Sequence, residues 1–119
     1  MNIEEYRDYC LSKPGVTEGF PFDNKTLVFK VMGKMFALTD VDQFEGINLK
    51  CDPDYAIELR EKYEAVSAGY HMSKKHWNTV NTQSDISDKK ITHLINHSYE
   101  LVVSKLNKKQ KEELNLLNS

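Results

Sequence analysis

Between Leu27 and Thr39 the chain reads LVFKVMGKMFALT, an apolar stretch broken by Gly33 and Lys34. A two-residue type II′ turn takes a glycine in its first loop position, so Gly33-Lys34 is predicted to close a hairpin. Val31 then faces Phe36 and Phe29 faces Leu38. Leu27, Phe29, Val31, Phe36 and Leu38 share one face, the predicted core face. Lys30, Met32, Met35, Ala37 and Thr39 share the other. GINLKC continues the alternation, with Ile47, Leu49 and Cys51 inward and Asn48 and Lys50 outward. AVSAGY and HWNTVN read as a second antiparallel pair, joined by His71 to Lys75.

Helical periodicity marks the remaining segments. Asn2 and Glu5 have the spacing of a capping box, followed by Ile3, Tyr6 and Cys10 on one stripe, and Pro14-Gly15 ends that helix. Asp52 caps a second helix with Pro53 at its first position and Ala56, Leu59 and Tyr63 as its buried stripe. Ser87 caps the longest helix, whose inner stripe is Ile91, Ile95, Ser98 and Val102. Asn107 and Gln110 form another capping-box pair ahead of a short last helix carrying Leu114 and Leu117. The order is helix, three or four strands, helix, two strands, helix, helix. Short turns between strands imply a largely antiparallel sheet. The polar alternation on one face implies helices on the other alone, an α+β two-layer sandwich.

With 119 residues, the chain is expected to be a single domain, 1–119, able to build a core without disulfide or metal. Hydrophobic residues at 39% and charged residues at 29% place it among folded, water-soluble chains. No apolar run has the length of a membrane span, and MNIEEYRDYC has no apolar signal region, so a cytoplasmic protein that does not engage a membrane is expected. Cys10 and Cys51 belong to no C-x-x-C pair and read as small buried thiols.

The net charge of −2 argues against a strongly basic nucleic-acid binder, but the charges are segregated. Asn24 to Thr39 carries Lys25, Lys30 and Lys34 without an acid. Ala65 to Ser84 carries Lys74 and Lys75 without an acid. Val41 to Glu64 holds Asp42, Glu45, Asp52, Asp54, Glu58, Glu61 and Glu64 against three basic residues.

Few residues suggest chemistry. His93 and His97 lie four apart on a helix, a spacing that can bind zinc, but Leu94, Ile95 and Asn96 lie between them, so no H-E-x-x-H exists. Both project off the inner stripe and read as solvated. His71 and His76 flank a lysine pair, where a cation would be repelled. Glu4, Glu5 and Asp8 read as a solvated helix face. No phosphate-binding glycine loop or nucleophile motif is present, so no cofactor, metal or catalytic residue is assigned, and an enzyme is a minority reading. Trp77 and Thr79 point to one side of their strand, with His76, Asn78 and Val80 on the other. Tryptophan buries the larger apolar area, so Trp77 is expected to face the helices and His76 and Asn78 to lie outward. Lys74 and Lys75 read equally as phosphate contacts or as charges that keep a strand edge soluble.

FPF at Phe20 to Phe22, VFKVMGKMFAL, INLKCDP, GYHMSKKHWNTV and LINHSYELVVSKL together resemble the MmcQ/YjbR family of small bacterial proteins, in order over nearly the whole chain. The resemblance implies a frataxin-like (CyaY-like) α+β fold. It also implies a double-wing DNA-binding domain, with the wings at the Gly33-Lys34 hairpin and the His71 to Lys75 turn. The expectation is a non-enzymatic DNA-binding or regulatory module contacting double-stranded DNA through Lys30, Lys34, Lys50, Lys74, Lys75, His76 and Asn78 on one exposed sheet surface. The alternative is a small molecule or protein bound on that same surface.

Overall fold

The computed structural model describes residues 1–69 and 72–117. Among them the chain runs α1 (Ile3–Leu11), β1 (Val16–Gly19), β2 (Thr26–Val31), β3 (Lys34–Asp40), β4 (Gly46–Lys50), α2 (Pro53–Lys62), β5 (Val66–Ala68), β6 (Trp77–Asn81), α3 (Asp88–Ser104) and α4 (Lys108–Leu117). The strands form one antiparallel sheet in the order β1-β2-β3-β4-β6-β5. The fold is the expected α+β arrangement.

The helices start at their sequence caps. Asn2 Oδ1 accepts from Glu5 N at 2.8 Å while Glu5 Oε1 accepts from Asn2 N at 3.1 Å. Asp52 accepts from Tyr55 N at the head of α2, and Ser87 Oγ from Lys90 N at the head of α3. Asn107 and Gln110 exchange bonds of 2.8 and 3.1 Å.

The main core lies on one side of the sheet. Leu27, Phe29 and Val31 of β2, Ile47 and Leu49 of β4, Val66 of β5 and Val80 of β6 pack there. They meet Tyr6 and Cys10 of α1, Ala56 and Leu59 of α2, Ile91, Ile95 and Val102 of α3, and Leu114 of α4. Both cysteines are free and buried.

The first hairpin differs from its expected register. Its two loop residues are Met32 and Gly33, not Gly33 and Lys34, because Val31 pairs with Lys34. Both loop residues have positive φ, 50° for Met32 and 82° for Gly33, as a type I′ turn requires. A left-handed methionine is unfavourable on its own. Here the Met32 side chain packs against the main core and Lys34 is left to solvent, so tertiary contact overrides turn preference. A bulge follows: Phe29 pairs with Ala37 but Lys30 pairs with Met35, leaving Phe36 as the extra residue. Phe36 and Ala37 therefore both enter the main core, and Leu38 turns to the opposite face. Thr39, paired with Leu27, is on the helix side and donates from Oγ1 to Gly46 O at 2.9 Å.

The bulge also interrupts the ladder between β3 and β4, whose last pair is Ala37 with Leu49. Ser98 of α3 fills the gap. Its hydroxyl donates to Phe36 O at 2.5 Å and accepts from Lys50 N at 2.9 Å. A polar residue in the apolar stripe of α3 thus acts as a hydrogen-bonded rung between two strands, fully buried and fully satisfied.

Trp77 also departs from expectation. Leu49 pairs with Asn78 and Ile47 with Val80, so Asn78 and Val80 face the helices. Trp77 faces the other side, where it packs with Val28 and Leu38, flanked by Met35 and Met72. It is 8% exposed, so the apolar-area argument for burial holds and its choice of face does not.

Candidate nucleic-acid interface

The antiparallel order brings distant segments to one end of the sheet. β2 ends and β3 begins at Met32-Gly33, β4 ends at Lys50, β5 ends at Ala68 and β6 begins at Trp77. The two hairpin tips therefore project from the same end, with the end of β4 between them. At about 4.8 Å between strands, the tip centres lie about 14 Å apart across the sheet. His76 O accepts from Cys51 N at 2.8 Å, which ties the second tip to the end of β4.

Six of the seven expected contact residues collect here. Lys30 and Lys50 are half-buried on the outer sheet face, beside the Trp77 cluster, as their pairings with Met35 and Trp77 require. Lys34 is exposed at the first tip, and Lys74, Lys75 and His76 at the second. Strand parity places Lys34 on the side of Val31, so it projects from the tip rather than from the outer face. His71, expected beside the lysine pair, lies outside the described residues.

Asn78 is the exception and is removed from the exposed surface. It is 3% exposed beneath α2; its Nδ2 donates to Ala56 O at 3.4 Å and its Oδ1 accepts from Arg60 Nε at 2.7 Å. Arg60 is a residue that the sequence pattern did not single out. Its Nη2 also donates to Lys74 O and, at 3.4 Å, to Trp77 O. One guanidinium on α2 therefore holds the backbone on both sides of Lys75 and His76. The planar, multiply donating head suits this role. Nothing in the α2 sequence distinguishes Arg60 from a solvated helix cation; only the packing of α2 under β6 does.

The opposite end of the sheet is acidic. Asp40 stands exposed at the end of β3 and Asp42 just beyond it, with Glu45 ahead of β4. Asp85 accepts from Ala65 N at 2.8 Å and Glu64 N at 3.0 Å, and these bonds hold its carboxyl below the usual range. The segregation along the chain carries over only in part: Lys25 sits at this acidic end, 4.0 Å from Asp42, while the exposed Asp52 and Asp54 follow β4 at the end that holds the tips.

Titratable groups near the tips have structural roles. Burial pushes the Cys51 thiol up to about 11, which disfavours the thiolate near neutral pH. Cys10 is pushed up to about 12, again chiefly by burial. His97 was expected to be solvated, and His93 is exposed. His97, however, is half-buried against Tyr55 of α2, with ring centroids 5.1 Å apart, and its Nε2 accepts from Asp52 N at 3.2 Å. The contact comes from a neighbouring helix, so the stripe of α3 alone could not reveal it. Burial lowers the His97 pKa, with Asp52 opposing. Among the described residues no group of three or more His, Cys, Asp or Glu could hold a metal ion, and no helix is long and apolar enough to cross a membrane.

Comparison with known proteins places the chain in context. The YjbR family model matches residues 11–101. The YjbR protein of Escherichia coli K12, described as uncharacterized, is 31% identical over 115 residues, covering 96% of this chain and 98% of that protein. The YbdF protein of Escherichia coli O157:H7, likewise uncharacterized, is 36% identical over 112 residues, covering 93% and 92%. The crystal structure of Deinococcus radiodurans protein DR2400, with a DUF419 domain, superposes with a TM-score of 0.89 at 38% identity, covering 96% of this chain and 88% of that one.

Proposed function

The chain belongs to the YjbR family, and from that premise we propose that it is a non-enzymatic DNA-binding module that approaches duplex DNA with its two hairpin tips. The observation that carries the reading is the gathering of Lys30, Lys34, Lys50, Lys74, Lys75 and His76 at one end of the sheet from four separate strands and turns. Lysine ammonium groups act as point charges toward phosphate and need no rigid pocket. The separation of the tips, about 14 Å, is comparable with the major-groove width of about 12 Å. The two tips can therefore reach phosphates on either side of one groove. Contacts of this kind position a protein without reading sequence, so weak, salt-dependent and largely sequence-indifferent binding follows. Asp40, Asp42 and Glu45 at the far end of the sheet disfavour approach to a polyanion from that end. Trp77 serves as structure beneath this surface, not as a stacking platform.

Fluorescence anisotropy with a labelled duplex tests the reading. Each lysine–phosphate contact contributes about −0.9 to the slope of log affinity against log salt. The double substitution Lys74→Ala and Lys75→Ala should weaken binding and flatten that slope by about 2. Absence of binding at low salt, or binding unchanged by the double substitution, would refute it.

A further inference from the structure

A concavity lies on the outer face at the β1 edge of the sheet, away from the second tip. It measures about 340 Å³ and is lined by Thr17, Glu18, Gly19, Phe20, Pro21, Val28 and Lys30. Register explains its shape. Thr17 pairs with Lys30 and Gly19 with Val28, so these four residues are cross-strand neighbours. Gly19 contributes no side chain, and a Cβ built there would meet nothing within 4 Å. Phe20, 48% exposed, forms one wall together with the rigid ring of Pro21.

Charge sorts what could enter. Of the two charged residues in the lining, Glu18 is already engaged: Arg7 donates to its carboxylate through Nε at 2.7 Å and Nη2 at 2.5 Å. That bidentate pair holds the Glu18 carboxyl below its ordinary range and compensates its charge. The Lys30 ammonium makes no ion pair or hydrogen bond among the described residues, and neither does the exposed Thr17 hydroxyl. The lining therefore offers one uncompensated cation and one unused hydroxyl beside an exposed aromatic wall and an apolar floor.

We propose that this concavity binds a small organic anion with a planar apolar ring, its ring against Phe20 and Pro21 and its anionic group at Lys30 Nζ and Thr17 Oγ1. The volume falls within the range of small-ligand sites. The site shares Lys30 with the proposed DNA-binding surface but includes neither tip, so its occupancy can be tested apart from theirs.

The test is a titration followed by amide chemical shifts, with 2-naphthoate as the probe. Two comparison probes are 2-naphthylmethanol, which keeps the rings without the charge, and inorganic phosphate, which keeps a charge without the rings. Naphthoate should shift Gly19, Phe20, Val28 and Lys30, and should bind about threefold to fivefold more tightly than the neutral alcohol, as an exposed ion pair allows. Gly19→Val, which fills the cavity, and Lys30→Met, which removes the charge, should each weaken it. The Lys74→Ala, Lys75→Ala protein should bind naphthoate normally, which separates this site from the tips. Equal affinity for acid and alcohol, the same shifts from phosphate alone, or no shifts on this edge at millimolar probe would each overturn the proposal.

Discussion

Replacing Ser98 by alanine removes one hydroxyl from the middle of α3 and should have a cost far beyond its size. Ser98 is 0% exposed, and its Oγ links Lys50 N at 2.9 Å to Phe36 O at 2.5 Å. Without it, a backbone donor and a backbone acceptor are orphaned inside the helix–sheet interface. Each unsatisfied buried group costs about 1–3 kcal/mol, and the space left by one hydroxyl is too small for a water able to serve both. A loss of about 2–4 kcal/mol is expected. In a urea melt with a slope near 2 kcal/mol/M, the midpoint falls by about 1–2 M while the slope is unchanged. Ser98→Cys, with a weaker donor and acceptor of similar shape, should lie between. Hydrogen exchange adds a local readout, since the Lys50 amide should lose more protection than amides in the middle of β4. A loss below about 0.5 kcal/mol, or Lys50 protection unchanged, would refute the claim that Ser98 replaces a rung of the sheet.

Two further outcomes follow from the groups around the second tip. Arg60→Ala leaves Asn78 Oδ1 buried without its donor and releases Lys74 O, so a loss of about 1–3 kcal/mol and faster exchange at His76 and Trp77 are expected; Arg60→Lys should not restore the loss, because a single ammonium cannot span the same acceptors. His97 is held below its ordinary value of about 6.5, chiefly by burial, and its Nε2 must stay unprotonated to accept from Asp52 N. The fold therefore favours the neutral ring. Its contribution is fully present above about pH 6.5 and is lost as the pH falls through the lower folded value. Thermal melts from about pH 7.5 to about pH 5 should show a smaller decline for His97→Gln than for the parent protein, and an identical decline would remove His97 from the account.

What was legible in the sequence rests on local chemistry. The caps at Asn2, Asp52, Ser87 and Asn107 and the stripe of α3 come from short-range patterns, and each appears in the structure. The acid-free stretches led to Lys30, Lys34, Lys74 and Lys75, which the topology does bring to one end of the sheet, and to Lys25, which it leaves at the other beside Asp42. Contacts between elements left no such mark. Arg60 and His97 both lie off the buried stripe of their own helix, and each finds its partner on another element.

The hairpin and Trp77 departures share one physical origin. Side-chain direction in a strand has a period of two, so a single inserted residue reverses every position beyond it. Phe36 and Leu38 are both apolar and two apart, which makes a strict alternation through β3 the natural reading of the sequence. The bulge keeps Phe36 in the core but sends Leu38 to the opposite face. There it joins Val28, and the sheet gains an apolar patch on the face expected to be polar. That patch gives Trp77 a second place to be buried. Once it exists, the apolar area of tryptophan no longer selects a face, and the pairing of β6 with β4 selects it instead: Ile47 fixes Val80 toward the helices and leaves Trp77 outward. Asn78 is carried inward by the same parity, at a cost that Arg60 offsets by supplying its buried oxygen with a donor. The irregularity in β3 thus supplies the patch that receives Trp77, and the register of β6 on β4 decides which residues near the second tip form structure and which remain as exposed charge.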